Sequence, residues 1–178
     1  MPSIYFENFI LEVIIMRLFE FAERFDEEKG CKVQAYKDAR MPEYATLDSA
    51  GADFFCAEKV TIPPFGETFA PTLVHTGIRA CMEEGEWLML ANRSGNPKKG
   101  LVLANGLGVI DQDYYKCEGN DGEIMFAFIN TTRVPITIEV GDKLGQGVFT
   151  TFARPDNAVV VQQNRVGGFG STTFDTTK

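Results

Sequence analysis

Histidine is almost missing from this chain: His75 stands alone among 178 residues. Cysteine is sparse as well. Cys31, Cys56, Cys81 and Cys117 lie far apart, and none forms a C-x-x-C pair. Both shortages argue against a zinc site, which draws on clustered Cys and His. They favour free thiols in a reducing cytoplasm over a disulfide framework. Basic charge is also short. With 17 Lys and Arg against 25 Asp and Glu the net charge is −8, so the broad basic surface of a general nucleic-acid binder is excluded. A small anionic ligand remains compatible if its positive partners are local. No long hydrophobic run is present. The apolar stretch Phe9–Met16 is interrupted by Glu12, has no basic residue before it, and is followed by Glu20, Glu23, Asp26 and Glu27. It is neither a membrane span nor a good signal peptide.

What is present fits one soluble domain with a sizeable core, at 44% hydrophobic and 24% charged residues. Residues 1–30 read as an N-terminal extension. Within them Leu11, Ile14, Ile15, Leu18, Phe21, Ala22 and Phe25 recur at helical spacing and Gly30 is a stop, which predicts an amphipathic helix over residues 9–27. A weak alternation over Arg17–Phe21 supports a strand instead, and Met16 offers an alternative start codon. The phenylalanines at 19, 21, 25, 54 and 55 read as core. Residues 31–164 are β-rich. Short apolar runs such as Lys32–Tyr36, Ala52–Cys56, Val74–Ala80, Glu86–Ala91, Gly122–Asn130 and Leu144–Phe152 alternate with Gly, Pro, Asn and Asp. This spacing predicts an all-β domain, a jelly-roll-like barrel or sandwich. Residues 165–178 form a glycine-rich C-terminal arm.

Several stretches carry groups suited to chemistry. In Gly106–Tyr115, Val109 and Ile110 favour a strand and Asp111 and Asp113 fall at its end, so a carboxylate sits at the rim of a β structure where it can take a proton from water. Asp is also a common turn residue. Asp53 follows three small residues, and is either a turn acid or a partner for water-bound magnesium. The loop Ala91–Gly100 gathers Arg93, Ser94, Gly95, Lys98 and Lys99, groups that suit phosphate but also suit a solvated loop. Gly141–Gln146 is a weaker signal, with Gln146 able to donate to a phosphate oxygen. Arg165–Thr172 combines Gly167, Gly168 and Gly170 with Arg165, Phe169, Ser171 and Thr172: open backbone amides, hydroxyls, one charge and an aromatic free to stack on a base.

Five stretches in order, Ala50–Asp53, Arg93–Gly95, Gly108–Tyr114, Gly141–Gln146 and Arg165–Thr172, resemble the five motifs of the trimeric dUTP pyrophosphatase (dUTPase) family. The match runs from about Ala39 to Thr172, and the Tyr114–Glu123 region looks like versions from Gram-positive bacteria and their phages. The resemblance implies a jelly-roll homotrimer with shared active sites, cleaving dUTP to dUMP and pyrophosphate with Mg²⁺, limiting uracil incorporation into DNA and supplying dUMP. It implies that Asp111 orients the water as general base. Tyr114 would lie against the deoxyribose and exclude a 2′-hydroxyl, while the hairpin after it reads uracil. Asn105 would approach the base, and Gly108 and Ile110 would also contact substrate. Ser94 and Gln146 would contact the α-phosphate region, and Arg93, beside Gly95, the more distal phosphates. Arg165, Ser171 and Thr172 would hold the terminal phosphates, while Phe169, next to Gly170, stacks on uracil. Asp53 would meet magnesium through water. Residues 116–121 are an insertion relative to the compact motif. A dCTP deaminase of the same superfamily and a nucleotide-sensing or partner-binding protein on this scaffold are the competing readings.

Overall fold

The computed structural model describes residues 16–67, 70–160, 165 and 167–168. In chain order the strands are β1 (Leu18–Phe21), β2 (Glu23–Asp26), β3 (Cys31–Gln34), β4 (Glu43–Tyr44) and β5 (Ala52–Phe55). Then come β6 (Val60–Ile62), β7 (Thr72–His75), β8 (Ile78–Cys81), β9 (Glu86–Asn92) and β10 (Leu101–Leu103). β11 (Gly108–Asp111), β12 (Met125–Asn130), β13 (Ile136–Ile138) and β14 (Lys143–Thr151) complete them, with 3-10 turns at Pro97–Lys99 and Gln112–Tyr114. No α-helix occurs among the described residues. The fold is jelly-roll-like and all-β, as the turn spacing predicts.

The central sheet runs β11-β9-β14-β5-β4, and a second sheet runs β10-β12-β7, all antiparallel. Antiparallel strands with one buried face alternate in and out, and β9 does so: Glu86, Leu88 and Leu90 point inward while Trp87 and Met89 are half-buried. The core lies between the sheets around Phe54, Leu88, Leu90, Phe126 and Phe128. Phe54 and Phe126 have ring centroids 5.8 Å apart, and Phe126 stacks with Phe128 at 6.1 Å. Burying each such ring stabilises the fold by about 1.5–3 kcal/mol. β14 crosses this cluster on glycine. A Cβ at Gly147 would stand 2.6 Å from Phe54 Cε2, so the strand can lie this close only without a side chain.

The expected helix over residues 9–27 is corrected for the part described. β1 pairs antiparallel with β8, from Leu18↔Cys81 to Phe21↔Ile78, and β2 forms a hairpin with β3. Residues 9–15 lie outside the described residues. The weaker alternation was the true one: the Phe19 ring packs edge-on to Phe54 at 5.3 Å and against Phe149 at 5.2 Å. Phe25, expected in the core, is 64% exposed. The single run expected over Val74–Ala80 is two strands, because Gly77 turns the chain with a φ of 66°.

Candidate active site

β11 is an edge strand, with Gly108 opposite Leu90 and Asp111 opposite Trp87 on β9. Asp111 is its last residue and keeps an extended backbone (φ −79°, ψ 158°) before the chain tightens into the Gln112–Tyr114 turn. The apolar pair Val109-Ile110 followed by acids therefore produces what the sequence suggests, a carboxylate held at a strand end. The turn folds Tyr114 inward, and its ring is 3% exposed. The phenol donates to the Glu123 carbonyl at 2.8 Å and accepts from Asn120 Nδ2 at 2.7 Å. Burial raises the phenol's pKa, partly opposed by the Asn120 hydrogen bond, so the group stays neutral near pH 7.

Asn105, Gly108, Ile110, Tyr114 and Arg165 share one cavity of about 160 Å³. Leu90, Leu103 and Phe126 give it an apolar floor, and Gly168 closes part of the rim. A Cβ at Gly168 would meet Tyr114 Cε2 at 3.0 Å, so glycine allows this segment to lie on the ring. Arg165 donates from Nε to Asp113 Oδ1 at 2.7 Å and from Nη2 to Asp111 Oδ2. Its guanidinium carbon is 6.0 Å from the Tyr114 ring centroid. A slot with an apolar floor, an edge strand and one aromatic wall suits a flat, uncharged base on a sugar.

A second cluster surrounds Asp53, which is 2% exposed on β5. Lys143 Nζ donates to Oδ2 at 2.6 Å, Gln146 Nε2 donates to Oδ1 at 3.2 Å, and Arg93 Nε lies 3.5 Å from Oδ1. Burial pushes this carboxyl up, but the hydrogen bonds from Lys143 and Gln146 and the charges of Lys143 and Arg93 outweigh it, leaving its pKa below the usual value. Ser94 and Gly95 are exposed in the turn that follows β9. Buried Asn96 braces that turn, donating to Leu144 O at 2.6 Å and to Asn92 Oδ1 at 2.8 Å.

The two clusters are separate within one chain. The order β11-β9-β14-β5 and the registers Asp111↔Trp87 and Ala91↔Gln146↔Asp53 put three strand spacings of about 4.8 Å and four residue steps of about 3.4 Å between the carboxylates, roughly 20 Å in all. Phe169, Gly170, Ser171 and Thr172 lie outside the described residues. Among the described residues, no group of three or more His, Cys, Asp or Glu side chains converges to hold a metal. Both oxygens of Asp53 already face cations or an amide. This donor set fits an ion that arrives on phosphate and meets the protein through water, since Mg²⁺ keeps several waters and takes few carboxylates.

Sequence reasoning did not single out Lys143, Asn96, Asn120 or Arg79. Lys143 lay within Gly141–Gln146, where only Gln146 drew notice. Asn120 lay in the insertion over residues 116–121. Buried Arg79 joins Glu20, Glu23 and Asp121, contacts between residues remote in sequence that no local pattern announces.

A dUTPase family model matches residues 37–173. The deoxyuridine 5'-triphosphate nucleotidohydrolase of Lactococcus lactis is 43% identical over 144 residues, spanning 79% of this chain and 93% of that protein. Among solved structures, the dUTPase of Streptococcus mutans is 36% identical with a TM-score of 0.65, over 78% of this chain and 98% of that one. A dUTPase variant from phage phi11 of S. aureus, which coordinates a structural Mg(II) ion, shares the fold at 22% identity and a TM-score of 0.61, over 82% and 96% of the two chains. The chain therefore belongs to the dUTPase family.

Proposed function

We propose that this protein hydrolyses dUTP to dUMP and pyrophosphate by in-line attack of water on the α-phosphorus, limiting uracil incorporation into DNA and supplying dUMP. The observation that carries the reading is Asp111 at the end of β11, next to Ile110 and bonded to Arg165, both of which line the cavity walled by Tyr114. Asp111 orients the water and takes its proton. Tyr114 lies against the deoxyribose, and the backbone edges beside Gly108, Ile110 and Asn105 meet uracil. Ser94 and Gln146 contact the α-phosphate region, and Arg93 the more distal phosphates. Arg165, Ser171 and Thr172 hold the terminal phosphates, and Phe169 stacks on the base. When bound, Mg²⁺ neutralises phosphate oxygens and aligns them for displacement. Asp53 faces it through water and keeps Lys143, Gln146 and Arg93 arranged for phosphate.

The spacing of roughly 20 Å between strand positions supports a homotrimer with shared sites, since one chain's Asp111 and Asp53 clusters are too far apart to act together on one reacting phosphorus. Residues 165–178 act as an arm that closes over the site and excludes bulk water. Residues 1–30 form an N-terminal extension, in whose described part β1 pairs with β8 and β2 faces β3. We place the enzyme in the cytoplasm: its four cysteines are free, which suits a reducing compartment, and among the described residues no helix is long and apolar enough to cross a membrane.

The test is pyrophosphate release from dUTP, UTP, dTTP and dCTP, each with Mg²⁺ and with chelator. Metal-dependent release from dUTP alone is the expected outcome. Ammonia from dCTP would replace the reading with deamination, and dUTP binding without release would make the protein a sensor.

A further inference from the structure

We propose that Asn120, within the inserted segment 116–121, is a positioning residue that holds the Tyr114 ring in place and thereby sets the discrimination between deoxyribo- and ribonucleotides. The inference rests on the dUTPase reading of the cavity. No residue of 116–121 is among the described residues lining that cavity. The insertion instead lies behind the ring, where Cys117–Asp121 face a groove shared with Tyr36 and Glu123. Within one chain it does not line the base cavity, and it meets the wall of that cavity at Tyr114.

The contact is specific. A phenol has one proton to give and lone pairs to receive. Tyr114 gives its proton to the Glu123 carbonyl at 2.8 Å and receives Asn120 Nδ2 at 2.7 Å. The amide's orientation follows from its other end, where Oδ1 accepts from Gly122 N at 3.3 Å and from Cys117 Sγ at 3.2 Å. That oxygen cannot also face the phenol, so the amino group does. The insertion is itself tied down. Asp121 holds a left-handed backbone (φ 59°), accepts from Glu23 N at 2.8 Å, and pairs with Arg79, whose side chain is 7% exposed. Arg79 in turn grips Glu20 on β1 at 2.9 Å. The N-terminal strands thus anchor the insertion, and Asn120 passes that rigidity to the ring.

Without the Asn120 amino group the ring keeps one hydrogen bond and can pivot about it. A pivot that opens space beside the sugar admits a 2′-hydroxyl, while dUTP still fits.

The experiment measures kcat/KM for dUTP and for UTP in the wild type, Asn120→Ala, Tyr114→Phe and the double variant. Asn120→Ala is expected to raise the UTP-to-dUTP ratio about tenfold, the worth of one buried hydrogen bond. In the Tyr114→Phe background it should add nothing, because no phenol oxygen remains to hold. Asn120→Asp keeps the oxygen that serves Gly122 and removes the amino donor, so it should relax selectivity even if the alanine variant fails to fold. Unchanged selectivity in a folded Asn120 variant, or additive effects in the double variant, would overturn the proposal alone. A wild-type protein that releases no pyrophosphate from dUTP would overturn the functional reading, and this inference with it.

Discussion

Arg165 bridges both acids at the end of β11, giving its Nε proton to Asp113 at 2.7 Å and an Nη2 proton to Asp111. The residue proposed as general base is thus capped by the arm's arginine. A triphosphate offers Arg165 a more highly charged partner than two exposed carboxylates. Under the proposed function Arg165 would leave this pair for phosphate, and Asp111 would then be free to meet water.

Asp111→Ala should lower kcat by about two or more orders of magnitude, with only a modest change in dUTP affinity. The side chain is 46% exposed, so its removal should leave thermal stability near that of the wild type. Steady-state kinetics with a parallel binding titration checks both points, and an unchanged kcat would remove Asp111 from the chemistry.

Deleting residues 165–178 takes away Arg165 and the remainder of the arm. Turnover should be lost while the oligomer persists, because the sheets and core are built from residues that precede it. Sedimentation of the truncated protein decides the second half. A monomer would show that the arm holds the assembly together.

Asp53 makes a prediction in acid. Its folded pKa lies below the unfolded reference of 3.8, so the stability it contributes is complete above that pH and is lost as pH falls through the folded value. Asp53→Asn should therefore be less stable than the wild type at neutral pH, by about 1–3 kcal/mol for cations left without their carboxylate. The gap in melting temperature should close as the pH is taken below about 4. A gap that stays constant as the pH is taken well below about 4 would mean that the charge of Asp53 contributes nothing.

Much of this was legible in the sequence because it is local. Val109-Ile110 followed by Asp111 specifies a strand and its end, and the alternation in Glu86–Ala91 specifies β9. Two local patterns misled. Counting Ala22 and Phe25 into a helical stripe hid the alternation that sends Phe19 into the core, although Phe25 faces solvent. The run Val74–Ala80 hid a break that only Gly77's positive φ produces. Charge pairing was out of reach for another reason. Arg165 lies 54 residues from Asp111, and Lys143 lies 90 residues from Asp53. Such pairs are fixed by strand order, which composition and periodicity do not encode. The insertion shows the same limit, since a polar turn in the sequence becomes the support of Tyr114 only once β1 and β8 are paired.

His75 gives a reporter for the Glu123 end of that insertion, because it is the single histidine in the chain. Its Nδ1 lies 3.1 Å from both carboxylate oxygens of Glu123, whose Oε1 also accepts from Gly77 N at 3.0 Å and whose carbonyl takes the Tyr114 proton. The hydrogen bond to Glu123 raises the imidazole pKa. Burial opposes it, and the charges of Glu123 and Glu58 add to it, leaving the net above 6.5. A raised folded pKa means that the stability from the charged pair is fully present below about pH 6.5 and is lost as pH rises through the folded value. One imidazole resonance should therefore titrate in NMR with a midpoint above 6.5. Glu123→Gln should bring that midpoint down, because burial then acts without its opposing charge. It should also loosen the turn that holds Gly77. A wild-type midpoint at or below 6.5, or one that Glu123→Gln leaves unmoved, would show that the pair is not formed in solution.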